Sequence, residues 1–311
     1  MQSAEVDQQE MQERVPTLAD AIAATVAYAD IFQYPLTIAE IQRYLIGAVA
    51  ELAAIEAVVH NPAHCHPALR LLDGYVVLAG REQIIATRQR RAAVAARMWP
   101  KALSYGRLIA ALPFVRMVAL TGALAVENVE EGADIDFLVI TEPGRLWICR
   151  LLTIGLVRIA GLRGDIICPN YFLADTALEL SHQNLYVAHE LAQMLPIAGM
   201  PTYQMMRRLN RWVDRFLPNA QSAPQILPEA LQDGMVRRFC EAALRLPLIE
   251  RLEQWEMQRK MRKFAQQGGN PETAFSREWC KGHFDGHGRR VMDAYAERLQ
   301  ALAPVELERA V

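Results

Sequence analysis

The sequence lacks the short motifs that identify several common enzyme classes. It has no Gly-x-Gly-x-x-Gly run, no P-loop, no His-Glu-x-x-His and no Gly-x-Ser-x-Gly. These absences argue against the usual Rossmann, P-loop, zinc-protease and serine-hydrolase interpretations. The five cysteines are an odd number and form no Cys-x-x-Cys pair. This cysteine usage is typical of reduced thiols and predicts a cytoplasmic protein rather than a disulfide framework.

Charge and hydropathy argue against two further classes. The formal net charge is only −2, so contact with nucleic acid would need a local basic patch. Residues 1–16 are polar and acidic, without the basic start and apolar core of a secretory signal. The most membrane-like segment, residues 146–162, contains Arg150 and Arg158. It predicts a buried helix rather than a membrane span, and we expect no membrane partner.

Residues 17–100 are predicted to form a small helical module that ends in a hairpin. Thr17 and Thr37 are expected to be helix N-caps, and a third helix fits residues 48–59. Asp73-Gly74 lies between two β-prone runs and predicts a tight hairpin turn. Three short helices followed by a hairpin is the order of elements in a winged-helix domain. Because the third helix has no Arg or Lys, packing or protein contact is favoured over nucleic-acid contact, which stays open.

The middle of the chain has the pattern of a small mixed sheet. Apolar strands are predicted at residues 115–120 and 133–141, and a third at 165–173, where Pro169 requires an edge or a bulge. The chain after residue 182 is predicted to be helical. The predicted division is a disordered lead (1–16), a winged-helix-like module (17–100), an α/β core (101–182) and an all-helical C-terminal region (183–311).

The feature of this core that points most directly to chemistry is the pair Asp134 and Asp136, which follows the small-residue turn Thr121-Gly122-Ala123. Side chains two residues apart on a strand point to the same face. Carboxylates are ligands that Mg²⁺ prefers, and a small-residue turn that opens a helix can offer backbone N–H groups to phosphate. The arrangement predicts a site for a Mg²⁺-bound nucleotide.

The segment VALTGALAVENVEEGADIDFLVIT resembles the signature of the nucleotidyltransferase superfamily typified by polymerase beta. That signature is an apolar strand, a Gly-Ser or Gly-Gly turn, a short helix and Asp-x-Asp in a second strand. The close resemblance covers residues 115–141. Flanking segments are similar to bacterial nucleotidyltransferase-domain proteins with a helical N-terminal module. The resemblance implies a Mg²⁺- or Mn²⁺-dependent α/β (α+β) core that transfers a nucleoside monophosphate from an NTP such as ATP to an unknown small molecule, RNA or protein.

The resemblance also implies residue roles. Asp134 and Asp136 match the metal-binding acids, and Gly122 and Ala123 match the turn that binds the phosphates. Ala123 stands where the family usually has Ser, and Glu127 stands where many members have Gly. These departures leave a second interpretation open, namely a catalytically degenerate protein that acts as a regulatory or a protein- or nucleic-acid-binding module.

Three further groups complete the expected site. The family often adds a third carboxylate on a neighbouring strand; Asp165 is predicted for this role as base or ligand, with Asn170 as a weaker, neutral ligand. Arg145, at the start of the helix after the Asp-x-Asp strand, is expected to reach the triphosphate. Residues 280–290 (CKGHFDGHGRR) combine histidines with Lys and Arg. They could close over an acceptor or a phosphate, or simply cap the last helix.

Overall fold

The structure, a computed structural model, describes residues 17–224, 227, 234–265, 273–282 and 286–302. The predicted lead at residues 1–16 lies outside these ranges. Within them the chain is a mixed α/β protein with eleven α-helices, one 3₁₀ helix and two β-sheets.

The N-terminal helices and hairpin form close to where the sequence predicts them, although the third helix begins at Leu52 rather than at residue 48. Thr17 and Thr37 each accept a hydrogen bond from the backbone three residues on, and Asp20 and Glu40 accept bonds back from the caps. The hairpin turns at Asp73-Gly74, where both residues have positive φ as a type I′ turn requires. The elements are α1 (Leu18–Asp30), β1 (Leu36–Thr37), α2 (Ile38–Arg43), α3 (Leu52–His60), β2 (Leu69–Leu72) and β3 (Tyr75–Leu78), with strand order β1-β3-β2.

A 27-residue helix, α4 (Ile84–Ala110), connects this part to the rest of the chain. It runs through the predicted domain boundary, since Pro100 lies inside the helix. Near its start, Arg88 donates to both carboxylate oxygens of Glu40 at 2.7 and 2.8 Å and lies over the ring of Tyr34. A bidentate, half-buried ion pair of this kind ties α4 to the N-terminal helices.

The central strands of the second sheet are the three that the sequence predicts. They and their connections are β4 (Val115–Thr121), α5 (Gly122–Ala125), β5 (Ile135–Thr141), α6 (Leu146–Gly161) and β6 (Ile167–Ala174). Strands β4 and β5 are antiparallel, and β5 and β6 are parallel with α6 as their crossover. Pro169 lies where the register between β5 and β6 shifts, as expected for a residue that cannot donate to a regular ladder.

The region after residue 182 is not all-helical as predicted. Strand β7 (Leu195–Ala198) pairs with β4, β9 (Trp279–Gly282) pairs with β6, and β8 (Thr273–Phe275) pairs with β9. The six-stranded order is β7-β4-β5-β6-β9-β8. Strands of three or four residues are too short to display a period-two pattern, so the sequence did not reveal them. The helices here are α7 (Leu185–Gln193), α8 (Met200–Leu209), a 3₁₀ helix (Arg211–Arg215), α9 (Met235–Ala243), α10 (Pro247–Ala265) and α11 (His287–Leu302).

The six-stranded sheet packs on both faces. Phe137 and Val139 face a core that includes residues of α4 and α6. Leu138 and Ile140, on the opposite face, share a second core with residues of α1, α7, α8 and α11, among them Tyr28. The functional site described below lies on this second face, at the end where β5 begins.

Helix α6 forms in the membrane-like segment, but only its first turn is fully buried, and Ile159 near its end is exposed. Its first turn is capped by Glu253 of α10, whose two carboxylate oxygens accept from the backbone N–H groups of Trp147 and Ile148 at 2.8 and 2.6 Å. No helix in the described ranges is long and apolar enough to cross a membrane.

Candidate functional site

The two aspartates converge at the start of β5. One ligand atom from each of Asp134, Asp136 and Cys168 lies within 4.8 Å of the other two. Cys168 joins them because it is the register partner of Asp136 on the neighbouring parallel strand. No other group of three His, Cys, Asp or Glu side chains within the described ranges comes this close together.

Gly122 lies directly against this acidic pair. Its φ is +67°, and a Cβ atom built on it would lie 2.4 Å from Oδ2 of Asp136. Thr121, the residue before it, is the register partner of Asp136. Only glycine allows both this backbone conformation and this close approach. The turn and the second aspartate therefore form one packed unit.

Ala123 and Glu127 are the two departures from the family signature. Ala123 is exposed and lines the same cavity as Asp136. Glu127 is exposed with φ +56° and does not line the cavity. Its left-handed backbone explains why glycine suits this position elsewhere, and its carboxylate does not fill the space beside the turn.

The environment of Asp136 disfavours its charged form. Its pKa is raised to about 8, first by burial and then by the charges of Asp134 and Glu190, while a hydrogen bond donated by Asn170 Nδ2 opposes the rise. Burial, followed by the charges of Asp136 and Asp134, raises the pKa of Cys168 to about 12. A bound cation would remove the cause of the repulsion by compensating these charges.

Asp165, the predicted third acid, is not in this group. Its carboxylate accepts from Lys101 Nζ at 2.6 Å and from the hydroxyl of Tyr105 at 2.7 Å, both on α4. These contacts hold the pKa of Asp165 below its usual range. Asp165 thus belongs to the packing of α4 against the start of β6, and the structure does not bring it together with Asp134 and Asp136.

Arg145 is also placed elsewhere. It precedes α6, beyond the end of β5, whereas the aspartates lie at its beginning. Five residues of strand separate Asp136 from Thr141, which is about 17 Å. The Arg145 guanidinium lies 5.2 Å from the ring centroid of Phe114, with Nη1 3.8 Å from Glu250. Its position does not support the predicted contact with a triphosphate.

Asp136 borders a large cavity. Its volume is about 1520 Å³, above the roughly 300–1,000 Å³ of common ligand sites. Its floor includes Gly122, Asp136 and Asn170, and its walls come from α1, α7, α11 and β9. The cavity therefore depends on N-terminal and C-terminal residues as much as on the core.

Glu190 of α7 is the carboxylate that sequence reasoning missed. It is half-buried, lines the cavity and contributes to the raised pKa of Asp136. Burial raises its own pKa, while Lys281 and a hydrogen bond with Tyr186 oppose the rise. The one available signal was a polar His-Glu pair within the otherwise apolar run LYVAHELAQ.

The donor set of Asp134 and Asp136 fits a divalent cation. Two carboxylates provide the hard oxygen ligands that suit Mg²⁺ and Mn²⁺, and Asn170 orients Asp136 through its amide. The raised pKa of Asp136 has burial as its main cause and the neighbouring charges of Asp134 and Glu190 as the next. His283, part of the basic C-terminal segment singled out in the sequence, lies outside the described residues, whereas Lys281, Arg289 and Arg290 all line the cavity.

Comparisons of the chain with protein-family models, with curated proteins and with solved structures found no match. Any assignment of function must therefore come from the residues and geometry of this site.

Proposed function

We propose that this protein is a Mg²⁺- or Mn²⁺-dependent nucleotidyltransferase, which moves a nucleoside monophosphate from an NTP to an acceptor. The observation that carries the proposal is the packing of Gly122 against Asp136 at the edge of a large cavity, with Asp134 next to Asp136. Its combination of strand, glycine turn, short helix and paired aspartates is the one that the resemblance to the polymerase-beta-like superfamily implies.

Each part of this unit has a physical role in the proposed reaction. Asp134 and Asp136 would hold the metal, which would supply positive charge to the phosphates and the leaving group. The backbone of Gly122 and Ala123 faces the phosphates. An acceptor oxygen or nitrogen attacks the α-phosphorus and forms the new bond, and the bond from that phosphorus to the β-phosphate oxygen breaks. Pyrophosphate leaves with the electron pair.

The acceptor also loses a proton in this reaction. Glu190 borders the cavity and is close enough to Asp136 to raise its pKa, so it is our choice of base in place of Asp165. A carboxylate with a raised pKa accepts a proton more readily at neutral pH.

We further propose that residues 17–78 are a winged-helix-like module that serves as a wall of the cavity. Tyr28 and Phe32, at the end of α1, line the cavity together with Tyr44. These positions favour a module that holds the acceptor rather than one that reads DNA. The outer surface of the module remains available for contact with protein or nucleic acid. All five cysteines are free thiols, which supports a cytoplasmic location.

The test is incubation of the protein with each α-labelled NTP and Mg²⁺ or Mn²⁺, across small-molecule, RNA and protein acceptors. Wild type should release pyrophosphate and label an acceptor, and Asp136→Asn should not. Asp165→Asn is the matched control, since it removes a carboxylate outside the acidic pair, and it should retain activity within about threefold. If wild type neither binds nor turns over any NTP, the degenerate, regulatory interpretation replaces this one.

A further inference from the structure

A cluster of shielded hydrogen-bond donors lies where α2 meets α8. Arg43 is the last residue of α2, and Tyr203 and Arg207 are one turn apart on α8. Nε of Arg43, the hydroxyl of Tyr203 and Nη1 of Arg207 are all shielded from solvent, and none has a hydrogen-bond partner among the described residues. Buried polar groups are normally paired, so three such donors in one place point to a ligand.

The two guanidinium groups and the hydroxyl are close to one another. Burial raises the pKa of Tyr203, and the charges of Arg207 and Arg43 both oppose the rise. Burial lowers the pKa of Arg207; Tyr203 and Asp214 oppose that fall, and the like charge of Arg43 adds to it. Each of the three groups therefore feels the other two, and an anion among them would relieve the repulsion between the arginines.

The charges of the two arginines are not compensated by a paired carboxylate. Nη2 of Arg43 donates to the backbone carbonyl groups of Ala192 and Ser222. Nη2 of Arg207 donates to the carbonyl of Ala220 at 2.6 Å. Within the described part of the chain, neither guanidinium forms an ion pair. Carbonyl groups satisfy donors but carry no net charge, so both positive charges are available to an anion.

We propose that Arg43, Tyr203 and Arg207 form a binding site for a phosphate group, either free inorganic phosphate or the phosphate monoester of a small molecule. Two positive charges match a phosphate dianion, whereas a carboxylate brings only one negative charge. Guanidinium groups bind phosphate through charge-assisted hydrogen bonds, and the phenol supplies a further donor. The inference goes beyond the proposed function, since none of these three residues lines the cavity that contains Asp136.

The spacing of the site is fixed by contacts between α2 and the segment that follows the 3₁₀ helix. Asn219 Nδ2 donates to the carbonyl of Gln42 at 2.7 Å, and the N–H of Gly47 donates to the carbonyl of Phe216 at 2.8 Å. The same segment carries two of the carbonyl groups that hold the arginines. The donors are therefore positioned before a ligand binds, which lowers the entropic cost of binding.

The site has an open side and a shielded side. Arg43 and Arg207 are half-buried, and the neighbouring Gln221 and Ser222 are exposed, so a small anion reaches the guanidinium groups from solvent. Tyr203 lies deeper and is only 4% exposed. Charge-assisted hydrogen bonds are stronger in such partly buried surroundings than in water.

The first experiment titrates inorganic phosphate calorimetrically into the full chain, in a chloride buffer with EDTA. Arg207→Gln should weaken binding about 10- to 100-fold and Tyr203→Phe about tenfold, because each change removes a donor to a charged ligand. Arg208→Gln removes an exposed cation from the same helix; it is the matched control and should bind as wild type does. The inference is wrong if wild type binds no phosphate, or if Arg207→Gln and Tyr203→Phe both bind it with wild-type affinity.

Two further ligands define the chemical class. Glycerol 3-phosphate, compared with inorganic phosphate, shows whether the site prefers a monoester or the free anion, and the tighter of the two identifies the source. Acetate should bind at least about tenfold more weakly than either, because it carries one charge and fewer acceptor oxygens. Equal affinity for acetate would contradict the assignment to phosphate.

The second experiment compares the thermal unfolding of wild type and Tyr203→Phe with and without phosphate. Without phosphate the hydroxyl is a buried group that lacks a partner, so its removal should leave the melting temperature equal or higher. With saturating phosphate, wild type binds the ligand more tightly and should melt at the higher temperature. A lower melting temperature for Tyr203→Phe in both solutions would show that the hydroxyl has another partner, and the inference would fail.

Discussion

The floor and the walls of the cavity are built in different ways. Two floor residues, Gly122 and Asp136, lie with the neighbouring Asp134 within 15 consecutive residues, where the antiparallel strands β4 and β5 meet. The walls combine α1, α7, β9 and α11, so that Tyr28 and Arg290 border the same space. A local hairpin-like unit can retain its geometry through its own backbone, whereas the walls exist only when distant segments pack together.

This comparison predicts a gradient of effects. Changes in the floor should abolish metal binding and chemistry, because each residue there contacts another member of the metal group. Changes in the walls should affect one step or one binding event and leave the metal pair intact. The four predictions below test this difference in order of decreasing expected effect.

The largest effect is expected for Asp136→Asn. It removes a proposed metal ligand, and we expect a loss of about 10³-fold in turnover, equivalent to about 4 kcal/mol of transition-state stabilisation. The same change removes a half-buried carboxylate that is repelled by Asp134, so the metal-free protein should melt at a higher temperature. Turnover and thermal unfolding in EDTA measure the two outcomes. Lower stability together with retained turnover would contradict the assignment of Asp136 as a ligand.

Gly122→Ala should be next, and Gly132→Ala is its matched control. Both glycines have positive φ, at +67° and +78°, so both alanine variants carry backbone strain of about 1–2 kcal/mol. Only at Gly122 does the new Cβ meet Asp136 Oδ2, whereas nothing lies within 4 Å at Gly132. Displacing the carboxylate by about 1 Å should cost about 10² in turnover.

The comparison of these two variants isolates the close approach from the strain. Both should lose similar stability in urea denaturation, while the loss of activity and Mn²⁺ binding should be confined to Gly122→Ala. Equal activity in the two variants would mean that the turn does not position Asp136.

Glu190→Gln tests a wall residue with a chemical role. As the proposed base, it should lower kcat by about 10² while Mn²⁺ binding and NTP affinity stay near wild-type values. Glu179→Gln, an exposed carboxylate just before α7, is the control and should leave kcat unchanged. A fall in Mn²⁺ affinity in Glu190→Gln would instead indicate that Glu190 is a metal ligand.

His189→Gln should have the smallest effect on activity and a measurable effect on the pH dependence of stability. His189 is stacked on Tyr28 with ring centroids 4.0 Å apart, and burial lowers its pKa from 6.5 to about 4. The unfolded chain therefore binds a proton at a higher pH than the folded chain does. The stability that this difference contributes is complete above pH 6.5 and is lost as the pH falls toward 4.

The size of this contribution is about 3 kcal/mol, since one unit of pKa corresponds to about 1.4 kcal/mol. Chemical denaturation between pH 4 and 7 should show a steeper fall in stability for wild type than for His189→Gln. His182→Gln, exposed at the cavity rim, should follow the wild-type curve. Parallel curves for all three proteins would show that the stacked imidazole titrates normally.

Much of the fold could be predicted because it depends on local signals. The capping boxes at Thr17 and Thr37, the turn at Asp73-Gly74 and the strands on either side of Gly122 each follow from a few neighbouring residues. Strands β7, β8 and β9 could not be predicted, because segments of three or four residues are ordered by the strands beside them.

The same distinction explains the site residues. The order of the chain predicts Asp165 and Arg145 as site residues, but order does not determine which end of a strand a residue reaches or which partner it meets. Arg145 lies at the far end of β5, and Asp165 is bound by α4. Glu190 and Lys281 approach the aspartates through packing of α7 and pairing of β9.

By itself the sequence determined the strand, the glycine turn and the paired carboxylates, since backbone conformation and side-chain alternation are properties of adjacent residues. The tertiary structure alone decided which other groups share the cavity with them. Packing and strand pairing bring together Tyr28, Glu190, Lys281 and Arg290, residues separated by up to 262 positions in the chain. Contacts over such separations depend on burial and shape, which no short stretch of sequence records.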